Sequence, residues 1–113
     1  NSIRAYRQRA GLTQDEVAIL LGCQSGTKVS RLERLSRKPS LQVVFACQVL
    51  FGIPAHELFP GIYQEVEQLT VTRATKLLQN LKALPPDSAL EMRREMLRRL
   101  VIQHENRRSQ TRT

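Results

Sequence analysis

Apolar positions recur along this chain at three- and four-residue steps, in runs separated by glycine, proline and serine. That is the period of helices rather than strands. Val17, Ala18, Leu20 and Leu21 form one such stripe. Thr13-x-x-Glu16 precedes it as a capping box, a hydroxyl and a carboxylate each placed to satisfy an orphan backbone N–H. Gly22 follows, where a left-handed residue ends a helix at least cost. Ser25 is placed to cap a second helix, in which Val29 and Leu32, three apart, face inward. Thr27, Lys28, Ser30, Arg31 and Arg34 are left on or near its outer face. Further on, Ser40 caps a helix, Gly52 stops it, and Pro54 starts a short one at a tolerated first-turn position.

Beyond Pro60 and Gly61 the pattern predicts two longer helices. The first runs from about Ile62 to Leu84, with Val66, Thr70, Ala74, Leu77, Leu81 and Leu84 at helical intervals, and Pro85-Pro86 breaks it. Ser88-x-x-Glu91 reads as another capping box, with Asp87 adding favourable charge at the helix start. The second helix runs to about Glu105 and carries Leu90, Met92, Met96, Leu97, Leu100, Val101 and His104, more apolar positions than a lone surface helix needs. Arg93, Arg94, Arg98 and Arg99 make a charged face with Glu91 and Glu95, read as solvated with local pairing. The tail NRRSQTRT has no hydrophobic residue and is expected to be disordered. The expected fold class is all-α, divided into a five-helix unit over 1–61, a helical hairpin over 62–105 and a basic tail over 106–113.

Two short helices set at a steep angle by a glycine-bearing turn are a common device for presenting a helix to the DNA major groove. The balance of charge fits: 18 Lys and Arg against 10 Asp and Glu give a formal +8, and the sequence pI is about 10.5. Basic charge alone would serve solubility as well as polyanion binding; beside the two-helix pattern it supports the latter.

The segment LTQDEVAILLG, followed by VSRLER and RKPS, resembles the Cro and phage-repressor (Xre-type) helix-turn-helix family over about the first sixty residues. SLQVVFACQVLFGIPAHELF is similar to that family's fourth and fifth helices. The resemblance implies a five-helix repressor-like DNA-binding domain with Gly26, Thr27, Lys28, Ser30, Arg31 and Arg34 facing bases. It places Gln14, Ser25, Arg37 and Lys38 on phosphates. Arg7 and Glu33 stand where the family pairs an arginine of the first helix with a glutamate ending the recognition helix. Two departures stand out. One extra residue lies between Gly22 and Val29, which lengthens the turn or the start of the recognition helix. Leu35 stands where the family usually has glycine, so the helix is expected to run about a turn further.

The expected function is sequence-specific binding of double-stranded DNA by a transcriptional regulator, a repressor acting as a homodimer on a near-palindromic operator. The hairpin, with Leu77, Leu81, Leu97 and Leu100 on its apolar stripes, is the expected dimer interface. A fold-back onto the first domain and a different partner protein are the alternatives for that hairpin. An antitoxin that binds its own promoter and a toxin, and an interaction module that kept the fold, are the alternatives for the whole. Cys23 and Cys47 are too few for a zinc site or a disulfide framework, so no metal and no cofactor are expected. No nucleophile–base arrangement or phosphate-binding glycine loop points to an enzyme. No apolar run reaches membrane-span length, and a cytoplasmic setting in a bacterium is expected, mostly through the resemblance.

Overall fold

Short stretches of helical sequence, each closed by a specific stop residue, build the chain. The computed structural model describes residues 2–35 and 38–111. Among the described residues there are seven helices and no strand: α1 (Ile3–Arg9), α2 (Gln14–Leu21), α3 (Gly26–Arg34), α4 (Leu41–Phe51), α5 (Ala55–Leu58), α6 (Pro60–Leu81) and α7 (Ser88–Thr111). The all-α reading therefore holds. The chain divides into two compact units, Asn1–Tyr63 and Gln64–Thr113.

In the first unit the stops fall where the sequence puts them. Gly22 and Gly52 both take the left-handed conformation, at φ 71° and 67°, and end α2 and α4. The hydroxyl of Ser40 accepts the Val43 N–H at 3.3 Å and caps α4. Pro54 sits one residue earlier than expected, as the N-cap of α5 rather than inside its first turn. Ile3, Leu32, Cys47, Leu58 and Phe59 form the larger core, and Val17, Ala18 and Val29 a smaller one between α2 and α3. The Tyr6 and Phe51 rings meet at 5.9 Å between centroids, tying α1 to the end of α4. Burial pushes the Cys47 thiol up to about 11, with the nearby Cys23 adding to the shift, as suits a small core residue.

Leu35 overturns the expectation drawn from it. α3 stops at Arg34, and Leu35 itself adopts the left-handed cap at φ 51°, ψ 38°. A side chain there costs about 1–2 kcal/mol. The Leu35 side chain packs on the larger core, and that burial offsets the strain.

The second unit is a helical hairpin whose ends differ from the sequence reading in physically clear ways. α6 starts at Pro60, because proline at the first helical position gives up an N–H that has no partner there anyway. It ends at Leu81. Lys82, Ala83 and Leu84 unwind through N–H bonds to carbonyls three residues back, and Leu84 precedes Pro85, where helical conformation is disfavoured. Asp87, rather than the Ser88–Glu91 box, caps α7: its carboxylate accepts the Leu90 N–H at 2.6 Å. α7 continues to Thr111, past the expected end near Glu105. The backbone of 106–111 is thus helical where disorder was expected.

Arg94 is turned inward, with its side chain 13% exposed. It donates to the Leu81 carbonyl at 2.7 Å and to Glu91 at 2.8 Å, so it caps the end of α6 instead of joining a solvated face. Glu95 and Arg99 make the local pair that was read from the sequence, at 3.0 Å. His104 Nδ1 lies 2.9 Å from Glu67 Oε2, off the direction of a hydrogen bond, and joins α7 to α6 further along.

Candidate nucleic-acid interface

The site is built from two helix starts. At the start of α2 the capping box is complete: the Thr13 hydroxyl accepts the Glu16 N–H at 3.1 Å, and Glu16 Oε1 accepts the Thr13 N–H at 2.9 Å. The Thr13 backbone N–H first, and then the Thr13 hydroxyl, stabilise the Glu16 carboxylate and hold its carboxyl below the ordinary value. At the other end of α2 the Cys23 N–H bonds back to the Ala18 carbonyl at 2.8 Å and fixes the turn through Gly22.

The start of α3 is held by a residue that sequence reasoning missed. Ser25 has the extended backbone of an N-cap, but its hydroxyl makes no cap bond. Asp15, eleven residues upstream on α2, supplies the acceptor instead: its Oδ1 takes the Gly26 N–H at 3.1 Å. The approach is close. A Cβ added at Gly26 would lie 2.4 Å from that oxygen and 3.3 Å from the Asp15 backbone nitrogen. Glycine is what lets α3 dock against α2. Gly26 is consequently buried, and this packing accounts for a glycine at that position. No local pattern signals the bond, because its partners are separated by a whole helix and turn.

Along α3, Val29 and Leu32 are buried while Thr27, Lys28, Arg31 and Arg34 are exposed and Ser30 is half-buried. Arg34 Nε donates to the Ser30 carbonyl at 3.4 Å. The one acid of α3, Glu33, is turned away from that face. Its side chain is 4% exposed and accepts Arg7 Nε at 2.5 Å. Arg7 also reaches the Leu12 carbonyl at 3.0 Å, so one guanidinium ties α1, the entry to α2 and the end of α3. Gln14 Nε2 lies 3.4 Å from Glu33 Oε2 and joins this network. Withdrawing Glu33 leaves the outer face of α3 with cations and hydroxyls and no carboxylate, the composition a polyanion requires.

The structure brings Gln14, Ser25, Thr27 and Ser30 together around one open depression between the starts of α2 and α3, with Gly26 in its floor. The positive ends of two helices meet there, with Asp15, whose carboxylate takes the Gly26 N–H, also in the lining. Lys38 is exposed beyond α3. Arg37, also read as a phosphate contact, lies outside the described residues. Of the residues read as a dimer interface, Leu77 is 48% exposed and Leu97 and Leu100 are half-buried, whereas Leu81 is only 6% exposed and belongs to the hairpin's own core. Among the described residues no cluster of side chains could hold a metal ion, and no helix is long and apolar enough to cross a membrane.

A family profile described as "Helix-turn-helix domain" matches residues 2–58, just over half of the chain. No curated protein and no solved structure matches the sequence. The profile covers α1 to α5 and spans both helix starts of the depression. On that match the chain belongs to the helix-turn-helix domain family, and its first unit is that of a DNA-binding regulator.

Proposed function

We propose that this protein is a sequence-specific transcriptional repressor of the Cro and phage-repressor kind, bound as a homodimer to a near-palindromic operator. The observation that carries the reading is the outer face of α3: Thr27, Lys28, Arg31 and Arg34 exposed, Glu33 withdrawn into the pair with Arg7. Arg31 has the length and the planar donor pair to take guanine O6 and N7 together. Thr27 and Lys28 reach neighbouring base edges, and Ser30 and Arg34 flank them. Gln14, Ser25 and Lys38 hold phosphates and set the register of the helix in the groove.

Dimerisation is supported by what the hairpin leaves uncovered. The described residues of the second unit bury Ala74, Leu81 and Leu90, but Leu69, Leu77, Leu84, Met92, Met96 and Ile102 are 46–73% exposed. Leu77, Met92, Met96 and Leu97 line one apolar groove between α6 and α7. A hairpin of this size cannot hold itself together on so small a core. Pairing with a second hairpin buries the groove and sets two α3 helices on one duplex, about 34 Å apart.

Selection from random duplex DNA tests the reading. The expected product is a two-fold symmetric consensus. Arg31→Ala should lose about 1–3 kcal/mol of preference at one base position in each half-site while keeping most non-specific binding. An unchanged specificity ratio removes Arg31 from base readout, and a failure to enrich any sequence removes specific recognition altogether.

A further inference from the structure

The start of α3 carries an anion of the protein's own. The first N–H of the helix, that of Gly26, is donated to Asp15 Oδ1, and the carboxylate reaches it from the first turn of α2. Asp15 lines the same depression as Gln14, Ser25, Thr27 and Ser30, the place where the outer face of α3 begins. The residue is exposed, and among the described residues no cation forms an ion pair with it. Glu33 is the contrast. That acid is neutralised by Arg7 and drawn inside, whereas the charge of Asp15 is left standing at the mouth of the site.

Capping does not require that charge. An asparagine accepts the same N–H and caps a helix about as well as an aspartate. What the charge adds is electrostatic. A phosphate is drawn to a helix start by free N–H groups and by the positive end of the dipole. Asp15 takes the first N–H of α3 and sets a full negative charge against that dipole. A DNA phosphate approaching α3 therefore meets a carboxylate where it would otherwise meet a donor. One unit charge placed against the backbone at the protein surface is worth about three- to tenfold in affinity.

We propose that Asp15 is an electrostatic brake on backbone binding, an internal stand-in for a phosphate at the start of α3. The inference rests on the DNA-binding reading above and adds to it which group limits the grip. With the α3 start filled, the backbone is held by Gln14, Ser25 and Lys38 alone. The penalty falls on every sequence alike, because phosphates carry no sequence. Base contacts from Arg31 offset it at an operator, and random DNA has nothing that does. A chain of formal charge +8 is thereby kept from lodging on random duplex by charge alone.

Fluorescence anisotropy of the full chain with several labelled duplexes of random sequence, in a sodium chloride series, tests the brake. Asp15→Asn keeps an acceptor for the Gly26 N–H and removes the charge. It should bind every duplex about three- to tenfold more tightly at about 0.1 M salt, where charges further apart than roughly 10 Å are screened, and the gain should shrink as salt rises. Glu57→Gln removes the same charge from α5, outside the depression, and should stay within about twofold of the wild type. Asp15→Glu keeps the charge while altering the cap, and should show no gain. An Asp15→Asn affinity equal to or below that of a wild type that binds overturns the brake alone and leaves Asp15 a structural cap. An equal gain from Glu57→Gln makes the effect one of net charge and overturns it too. So does a gain confined to one duplex, which would make Asp15 a base contact. If neither the wild type nor Asp15→Asn binds any duplex, the DNA-binding reading falls together with the brake.

Discussion

Single positions in this chain show how burial overrides backbone preference. Leu35 holds a left-handed conformation that a glycine would take freely, and it does so because its side chain is needed in the core beneath α1 and α4. The two contributions separate by substitution. Leu35→Ala keeps the strain and loses the packing, while Leu35→Gly loses the packing and the strain together. The glycine variant is therefore expected to be the more stable of the two, by about 1 kcal/mol, in thermal or urea unfolding. An alanine variant equal to or better than glycine would mean that the left-handed cap is not kept. Glu33 makes the complementary point. It is the one acid on a helix that carries Lys28, Arg31 and Arg34, and its pairing with Arg7 both anchors α3 and keeps a negative charge off that helix's exposed cationic face.

At the scale of elements, the joint between α2 and α3 is where a small change should be felt most. Asp15→Ala removes the acceptor for the first N–H of α3 and should cost about 1 kcal/mol. Gly26→Ala, ordinarily favourable inside a helix, should cost about 1–2 kcal/mol here because the new Cβ displaces that same carboxylate. The double variant should cost less than the two losses added, since the carboxylate that the Cβ displaces is already gone. Additivity across that cycle would show that the two residues do not share one contact. The joint also marks the boundary of what was legible in the sequence. The capping box at Thr13, the stops at Gly22 and Gly52 and the Ser40 cap are local, and each was readable from a few neighbouring residues. Asp15 on Gly26 and Arg94 on Leu81 span eleven and thirteen residues and leave no periodic trace. The outward set of α3 was readable from helical period. The inward place of Gly26 was not, because a residue without a side chain carries no hydropathy signal.

At the scale of the molecule, one unit carries a complete core and the other does not. That difference predicts where a charge will be tolerated. Leu77→Lys, on the groove of the hairpin, should weaken self-association by about 2 kcal/mol or more, roughly thirtyfold in Kd, with the unfolding of the first unit unchanged. Light scattering on the full chain reads the outcome, and a wild-type protein that is monomeric both free and on DNA would remove the dimer. Arg94 bears on how the second unit comes into being. Its guanidinium closes the last carbonyl of α6 from the second turn of α7 and pairs with Glu91 on the way. Arg94 thereby couples the two helix ends, beside the local Leu84 N–H on the same carbonyl and the Asp87 cap of α7. In deuterium exchange, the amides of the last turn of α6 and the first turns of α7 should open as one cooperative event, and Arg94→Met should split it into two. The hairpin is then a switch with two settings, closed along its whole bend or not formed at all, with no frayed state between for a protease to find.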